Sequence, residues 1–224
     1  MLLAEAIEAG VDIEVVYATD AHEIPPTVDQ RLITLVSAGV LSRVLDTTTP
    51  REVAAVAVPI ERSVEQVLGL ATDSGRPILV LDGLGDPGNV GTLMRSAEAS
   101  GAAGVITTEG TVDVWSPKVT RSAAGASFRV PLATGASLEE LIGRIPTVAL
   151  TLEGELTHLG ANLGGSVAIV IGNEAHGLSP GSAAACDHRV RVVMEGPTES
   201  LNAAMAGTVV CFEALRQRLS GPQP

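Results

Sequence analysis

Short apolar runs of four or five residues, closed by Gly, Pro or polar side chains, recur along this chain at 78–81, 104–107, 147–150 and 167–171. Runs of that length and composition predict strands buried on both faces of a parallel sheet. Two further strands are expected nearer the start, at 13–18 and 42–45, and helix-like segments lie over 2–9, 28–38, 137–142 and 201–219. Three capping boxes mark helix starts: Thr49-Pro50-Arg51-Glu52, Ser63-Val64-Glu65-Gln66 and Ser137-Leu138-Glu139-Glu140. The last helix sets Ala204, Thr208, Cys211 and Leu215 near one stripe. It ends in Arg216 and Arg218, whose charges suit a helix C-terminus, and both read as structural. Strand-like and helix-like segments alternate almost throughout, which predicts an α/β fold. The polar, turn-rich stretch 71–77 is expected to join a small domain over 1–70 to a larger one over 78–220.

Composition narrows the function classes. The chain has 224 residues, 46% hydrophobic and 18% charged, which excludes a disordered protein. Only 2% are aromatic, so modules that stack bases on aromatic sheets are excluded too. Fourteen basic residues stand against 26 acidic ones, a net charge of −12. Such a surface does not grip nucleic acid as a whole, although a local basic site remains open. Cys186 and Cys211 belong to no CxxC or Cys/His cluster and read as reduced thiols of a cytoplasmic protein. No apolar run reaches the ~18–20 residues of a membrane span. The start, Met1-Leu2-Leu3-Ala4-Glu5, carries an acid where a signal peptide has bases, so no membrane association or export is expected. His22, His158, His176 and His188 are scattered without metal-ligand spacing; all four read as structural or exposed, and no metal is expected.

One motif invites a specific chemistry. Gly83-Leu84-Gly85-Asp86-Pro87-Gly88 satisfies G-x-G-x-x-G between a predicted strand and a predicted helix, and Glu109 ends the next strand-like run. A nucleotide-dependent oxidoreductase would use that turn to cradle pyrophosphate. Against it, Pro87 stiffens the turn, and the helix is expected to begin near Asn89. A glycine-rich strand-to-helix turn without ligand is the plainer alternative.

Three ordered segments are more specific. They are Asp86-Pro87-Gly88-Asn89-Val90-Gly91-Thr92-Leu93-Met94-Arg95-Ser96-Ala97, Val170-Ile171-Gly172-Asn173-Glu174-Ala175-His176-Gly177-Leu178-Ser179, and Val192-Val193-Met194-Glu195-Gly196-Pro197-Thr198-Glu199-Ser200-Leu201-Asn202. In order and spacing they resemble the three motifs of the SpoU/TrmH methyltransferases of the SPOUT superfamily. The stretch from Ser116-Pro117-Lys118 to Arg121-Ser122-Ala123-Ala124-Gly125-Ala126 is similar to the family's intervening segment. The likeness runs from about Pro77 to Ser220. It implies a parallel-sheet domain whose C-terminal segments form a trefoil knot, working as a homodimer. It also implies S-adenosyl-L-methionine-dependent methylation of a ribose 2′-hydroxyl in structured RNA, either rRNA or tRNA.

By the same resemblance, the cofactor pocket comprises Leu150, Thr151, Gly172, Val192 and Leu201, and the catalytic set Arg95, Asn89, Glu174, Ser200 and Asn202. A ribose hydroxyl is a poor nucleophile, so the site must hold it in line and help remove its proton. A guanidinium, with a pKa above ~12, resists acting as a base. Phosphate binding plus stabilisation of a developing alkoxide is therefore the role expected of Arg95. Asn89 would orient Arg95, Glu174 would hold a loop or pair with a cation, and Ser200 and Asn202 would position substrate or order the knot. The chain departs from the family where Ala203 and Ala204 follow Ser-Leu-Asn in place of the frequent Val-Ser, and in Pro197.

The first third resembles the small ribosomal-protein-like α/β domain that relatives use for substrate RNA, yet residues 1–70 hold four arginines against eleven acids. It is also short at its start, so either the start is internal or the helper domain is trimmed. The one acid-free basic stretch, 114–138, carries Lys118, Arg121 and Arg129, where phosphate contacts are expected beside Arg95. A non-catalytic RNA-binding factor on the same scaffold remains the other reading.

Overall fold

The computed structural model describes residues 2–45 and 52–221, which divide into two compact units, Met1–Ile60 and Glu61–Pro224. The capping box at Thr49-Pro50-Arg51-Glu52 falls largely outside the described residues. The first unit runs α1 (Leu2–Glu8), β1 (Ile13–Ala18), β2 (Ile33–Leu35), α2 (Val40–Val44) and β3 (Val53–Ala57). Its sheet has the order β2-β1-β3, with β1 parallel to β2 and antiparallel to β3, over a small core of Leu3, Val16 and Val28.

Two expectations fail in this unit. The helix expected over 28–38 is instead a 3₁₀ turn at Gln30–Leu32, opened by the Asp29 carboxylate accepting from the Arg31 amide at 2.9 Å, followed by β2. β-branched Ile33 and Thr34 favour the extended form once β1 offers an edge to pair with. The strand expected at 42–45 is the helix α2, which starts where Gly39 turns left-handed (φ 82°) and Ser42 donates its hydroxyl to the Gly39 carbonyl at 2.9 Å.

The second unit comprises α3 (Val64–Ser74), β4 (Ile78–Asp82), α4 (Pro87–Ser100), β5 (Gly104–Thr108), α5 (Pro117–Ala123), α6 (Ala126–Arg129), β6 (Leu132–Ala136), β7 (Thr147–Leu150), β8 (Leu156–Thr157), β9 (Ala168–Gly172), α7 (Pro180–Ala185), β10 (His188–Arg191) and α8 (Ala203–Ser220). The Ser63 capping box forms as expected, with Ser63 Oγ accepting from the Gln66 amide and Gln66 Oε1 from the Ser63 amide. The stretch 71–77 is therefore not a linker. It holds the last turn of α3 and its left-handed Gly75 cap, and the division between units falls earlier, at 60/61. The helix expected over 137–142 is a single 3₁₀ turn, Leu138–Glu140.

All seven strands of the large sheet are parallel, in the order β6-β5-β4-β9-β7-β10-β8. Side chains alternate between two cores, as strand geometry requires. Leu79, Leu81, Val105, Leu132, Val148, Ile169 and Ile171 face the side covered by α4, α5 and α8. Ile78, Val80, Ile106, Ala133, Ala149 and Val170 face the other, where Val67 and Leu68 of α3 close the core. Cys211 belongs to the first core and Cys186 to the second, so the sheet separates the two thiols. Among the described residues no helix is long and apolar enough to cross a membrane.

The strand β10 lies between β7 and β8, which are consecutive in the chain. Its base is locked to β7 by Thr147, whose amide and hydroxyl donate to Asp187 Oδ2 at 2.7 and 2.8 Å while the Asp187 amide donates back to Thr147 Oγ1 at 2.9 Å. The connection from β7 to β8 passes close over β10: a Cβ on Gly154 would lie 2.6 Å from Arg191 N and 2.8 Å from the Arg189 carbonyl oxygen. These are backbone atoms of a paired strand, which cannot swing aside as a side-chain tip can. Gly154→Ala should therefore destabilise the fold by about 1–3 kcal/mol through overpacking, read as a lower urea midpoint. An unchanged midpoint would show that the connection can lift from β10 freely.

Candidate active site

The three motif segments converge at the C-terminal ends of the central strands, the edge at which open α/β sheets bind their ligands. β4 runs into the turn 83–86, β9 into the turn 173–178, and β10 into the segment 192–202 that leads to α8. Asp86 caps α4, its Oδ1 accepting from the Asn89 amide at 2.8 Å, and Pro87 fills the first helical position, where a missing N–H costs nothing. The helix thus starts two residues before the expected Asn89.

Glu174 fastens these segments together. Its Oε2 accepts from the Gly85 amide at 3.1 Å, and its Oε1 accepts from the Asp86 amide and from Asn89 Nδ2, both at 3.0 Å. Asn89 Oδ1 in turn accepts from Asn202 Nδ2 at 3.0 Å, while Asn202 Oδ1 caps α8 by accepting from the amides of Ala204 and Met205. Asn173 binds the same turn from the side, donating Nδ2 to the Gly83 carbonyl at 2.8 Å. Partial burial pushes the Glu174 carboxyl up, but donors from Asn89, its own amide, Asp86 and Gly85 outweigh that and leave its pKa below the usual carboxylate value.

This arrangement corrects the dinucleotide reading. The amides of Gly85 and Asp86, which would have to face a pyrophosphate, are already taken by Glu174, and the helix N-terminus behind them is capped by Asp86. The anion seat of the G-x-G-x-x-G turn is filled from within the chain.

Four of the five expected cofactor residues lie at the ends of three neighbouring strands. Leu150 ends β7, with Thr151 directly after it; Gly172 ends β9; and Val192 follows β10. Leu150 and Val192 are half-buried against the core. Leu201, also half-buried, lies next to Asn202 at the entrance to α8. Thr151 donates its amide to the Val190 carbonyl at 2.9 Å, while its buried hydroxyl has no hydrogen-bond partner among the described residues. An orphaned hydroxyl beside half-buried aliphatic walls fits a ligand that offers polar groups on an apolar body. Gly172 is required for a reason the sequence did not reveal. A Cβ there would collide with the backbone of Gly177 and Leu178, so the residue allows the 173–178 turn to fold back onto β9.

The remaining candidates scatter. Arg95 is exposed on the outer row of α4 with Thr92 and Ala99. It lies six residues from Asn89, hence about 9 Å along the axis and on a different face. Ser200, Lys118 and Arg121 are also exposed, and like Arg95 their side chains make no hydrogen bond or ion pair with another described residue. Arg129 does not belong with them, because it is ion-paired with Glu98. Asp86 and Asn173 were missed as site residues. The Asp-Pro pair was a readable helix start, whereas nothing local marked Asn173 as the partner of Gly83.

Residues 76–212 match the model of the SpoU rRNA Methylase family, and the chain belongs to that family. It is 29% identical to the 23S rRNA (guanosine(2553)-2′-O)-methyltransferase RlmP of Bacillus subtilis, over 94% of this chain and 84% of that protein. To the 23S rRNA (guanosine-2′-O-)-methyltransferase RlmB of Vibrio vulnificus it is 35% identical, over 67% of this chain and 63% of the other. The crystal structure of the SpoU methyltransferase AviRb from Streptomyces viridochromogenes, in complex with the cofactor AdoMet, superposes with a TM-score of 0.85. That likeness covers 98% of this chain and 88% of AviRb at 28% identity.

A lowered carboxyl pKa makes the Glu174 fastening pH-dependent in a defined direction. Between its folded value and the unfolded value of about 4.3, the unfolded chain binds the extra proton, so the contribution of Glu174 is present above that window and lost as pH falls through it. Glu174→Ala should therefore be less stable than the parent at pH 7, and the gap between their urea midpoints should narrow towards pH 3. A gap that widens on acidification would contradict this.

Proposed function

We propose that this chain is an S-adenosylmethionine-dependent methyltransferase acting on a ribose 2′-hydroxyl of structured RNA, with ribosomal RNA favoured over transfer RNA. The observation that carries the reading is the convergence of its three family motifs on the C-terminal ends of β4, β9 and β10, fastened through Glu174, Asn89 and Asn202. The preference for ribosomal RNA follows the relatives named above. The cofactor, when bound, supplies an electrophilic methyl group on a sulfonium. In this reading Leu150, Val192 and Leu201 wall the adenosyl group and Thr151 offers it a hydroxyl. The insertion of β10 between β7 and β8, beneath Gly154, supports the further reading that the C-terminal segments form a trefoil knot.

Arg95 lies apart from the Glu174 cluster in one copy of the chain, which supports a site completed by two copies. α4 and α8 pack through Leu93 against Gly207 and through Ser96 Oγ against Thr208 Oγ1 at 2.7 Å, so their outer rows lie on one side of the sheet. The outer row of α8 carries Met205, Val209, Phe212 and Leu219, at 59, 37, 46 and 79% exposure. An apolar stripe of that kind on a helix surface fits an isologous homodimer contact. Arg95 would then bring its guanidinium to the partner's site, hold a phosphate and stabilise the alkoxide while the hydroxyl proton passes to solvent water. Exposed Lys118 and Arg121 would steady the RNA backbone, and the first unit would add substrate contacts of its own. This reading also places the protein in the cytoplasm.

Tritium transfer from labelled S-adenosylmethionine to total RNA from a strain lacking the protein tests the activity. Arg95→Ala should retain fold and cofactor affinity but lose on the order of 10²–10³ in rate, as for removal of one preorganised donor. Arg95→Lys should not rescue it, because an ammonium lacks the planar fork, and Asn89→Ala should show a milder loss. Near-parental transfer by Arg95→Ala would remove Arg95 from the mechanism. A parent protein that binds RNA yet is inactive on every RNA pool would favour the non-catalytic factor. Chromatography with mass detection should give a dimer at micromolar concentration; a stable monomer would count against the shared site.

A further inference from the structure

The segment that carries Val192 leaves β10 after Arg191, so it no longer has sheet partners on both sides. Its path is nevertheless constrained, and the constraint comes from a single residue. The His158 amide donates to the Arg191 carbonyl at 2.9 Å, and His158 Nδ1 accepts from the Val193 amide at 3.3 Å. One residue thus grips the backbone immediately before and immediately after Val192. An amide N–H can only donate, so Nδ1 is unprotonated in this arrangement. The imidazole is buried, at 8% exposure, and its own segment is anchored from behind by α8. Gln217 Nε2 donates to the Ala161 carbonyl at 2.9 Å, and Gln217 Oε1 accepts from the amides of Leu163 and Gly164 at 2.8 and 3.0 Å. On the opposite side of β10, Thr151 holds the Val190 carbonyl. The exit of β10 is therefore clamped between Thr151 on one flank and His158 on the other.

We infer that His158 is a positioning residue for cofactor binding: its buried imidazole holds the Val193 amide while its backbone amide holds the Arg191 carbonyl, so the side chain fixes the far side of Val192 and shapes one wall of the adenosyl site. This rests on the S-adenosylmethionine reading above. His158 touches no reacting atom; it acts through Val192. Removing the acceptor leaves the Val193 amide without a partner and lets the wall relax, which weakens the bound state and the transition state alike.

The test uses the purified full chain, titrated with S-adenosylmethionine by calorimetry, with His158→Leu, His158→Asn and His158→Gln. An asparagine amide places its oxygen where Nδ1 stands, whereas a glutamine reaches the position of Nε2. Cofactor affinity should fall roughly tenfold in His158→Leu and His158→Gln and stay within about threefold of the parent in His158→Asn. In turnover the KM for S-adenosylmethionine should rise with kcat nearly unchanged, and RNA affinity should not move. If His158→Leu fails to fold, the contrast between asparagine and glutamine decides. Parent-like binding by His158→Gln, or equal losses in His158→Asn and His158→Gln, overturns the inference while leaving the cofactor reading intact. A parent protein that binds no S-adenosylmethionine overturns the cofactor reading and this inference with it.

Discussion

A carboxylate placed where a helix begins is stabilised by unpaired amides and by the positive end of the helix dipole, and Glu174 occupies such a place beside α4. Its particular consequence here is long range. Glu174 arrives from β9, while the amides it satisfies belong to the turn after β4 and the carboxamide it satisfies belongs to α4. Asn89, held by Glu174, then orients towards Asn202, which caps α8. One carboxylate at the edge of the sheet therefore sets the relative position of two strand ends and two helix starts. Without it, the Gly85 and Asp86 amides and the Asn89 carboxamide would lose the acceptor that ties them to the end of β9.

The same edge combines rigid and open parts. The strand ends are held by hydrogen bonds to backbone: Thr147 with Asp187 at the base of β7 and β10, Thr151 with Val190 near their tops, and Asn173 with Gly83 across from β9 to β4. Arg95, Ser200, Lys118 and Arg121 stand outside this frame, exposed and without a hydrogen bond or ion pair to another described residue. Arg129 shows the contrast, since its charge is spent on Glu98.

Legibility of the fold follows burial. β4, β5, β7 and β9 lie inside a parallel sheet with both faces covered, so each needs an unbroken apolar run, and each was readable within a residue or so. β10, His188-Arg189-Val190-Arg191, buries only Val190 and gave no such run. β6 carries Gly135 and an exposed edge, and β8 is two residues long. In the small unit the core is thin, so local preference is easily overridden: the segment around Ile33 pairs with β1, and that around Leu41 coils after Gly39. At the site, the three motifs were legible as motifs. The glycine-rich turn was equally legible and pointed to a different ligand, because its pattern does not record what lies opposite its amides.

The sequence by itself determined which segments are strands buried on both faces, where α3 begins at its Ser63 cap, and which three segments carry the family likeness. These depend on interactions within a few residues, namely the alternation of apolar side chains and the capping of free amides. Only the tertiary structure decided the strand order, the insertion of β10 between β7 and β8, the pairing of Glu174 with amides 88 and 89 residues away, and the separation of Arg95 from Asn89 on one helix. Those depend on hydrogen bonds and packing between segments far apart in the chain, whose partners become defined only when the sheet brings them together.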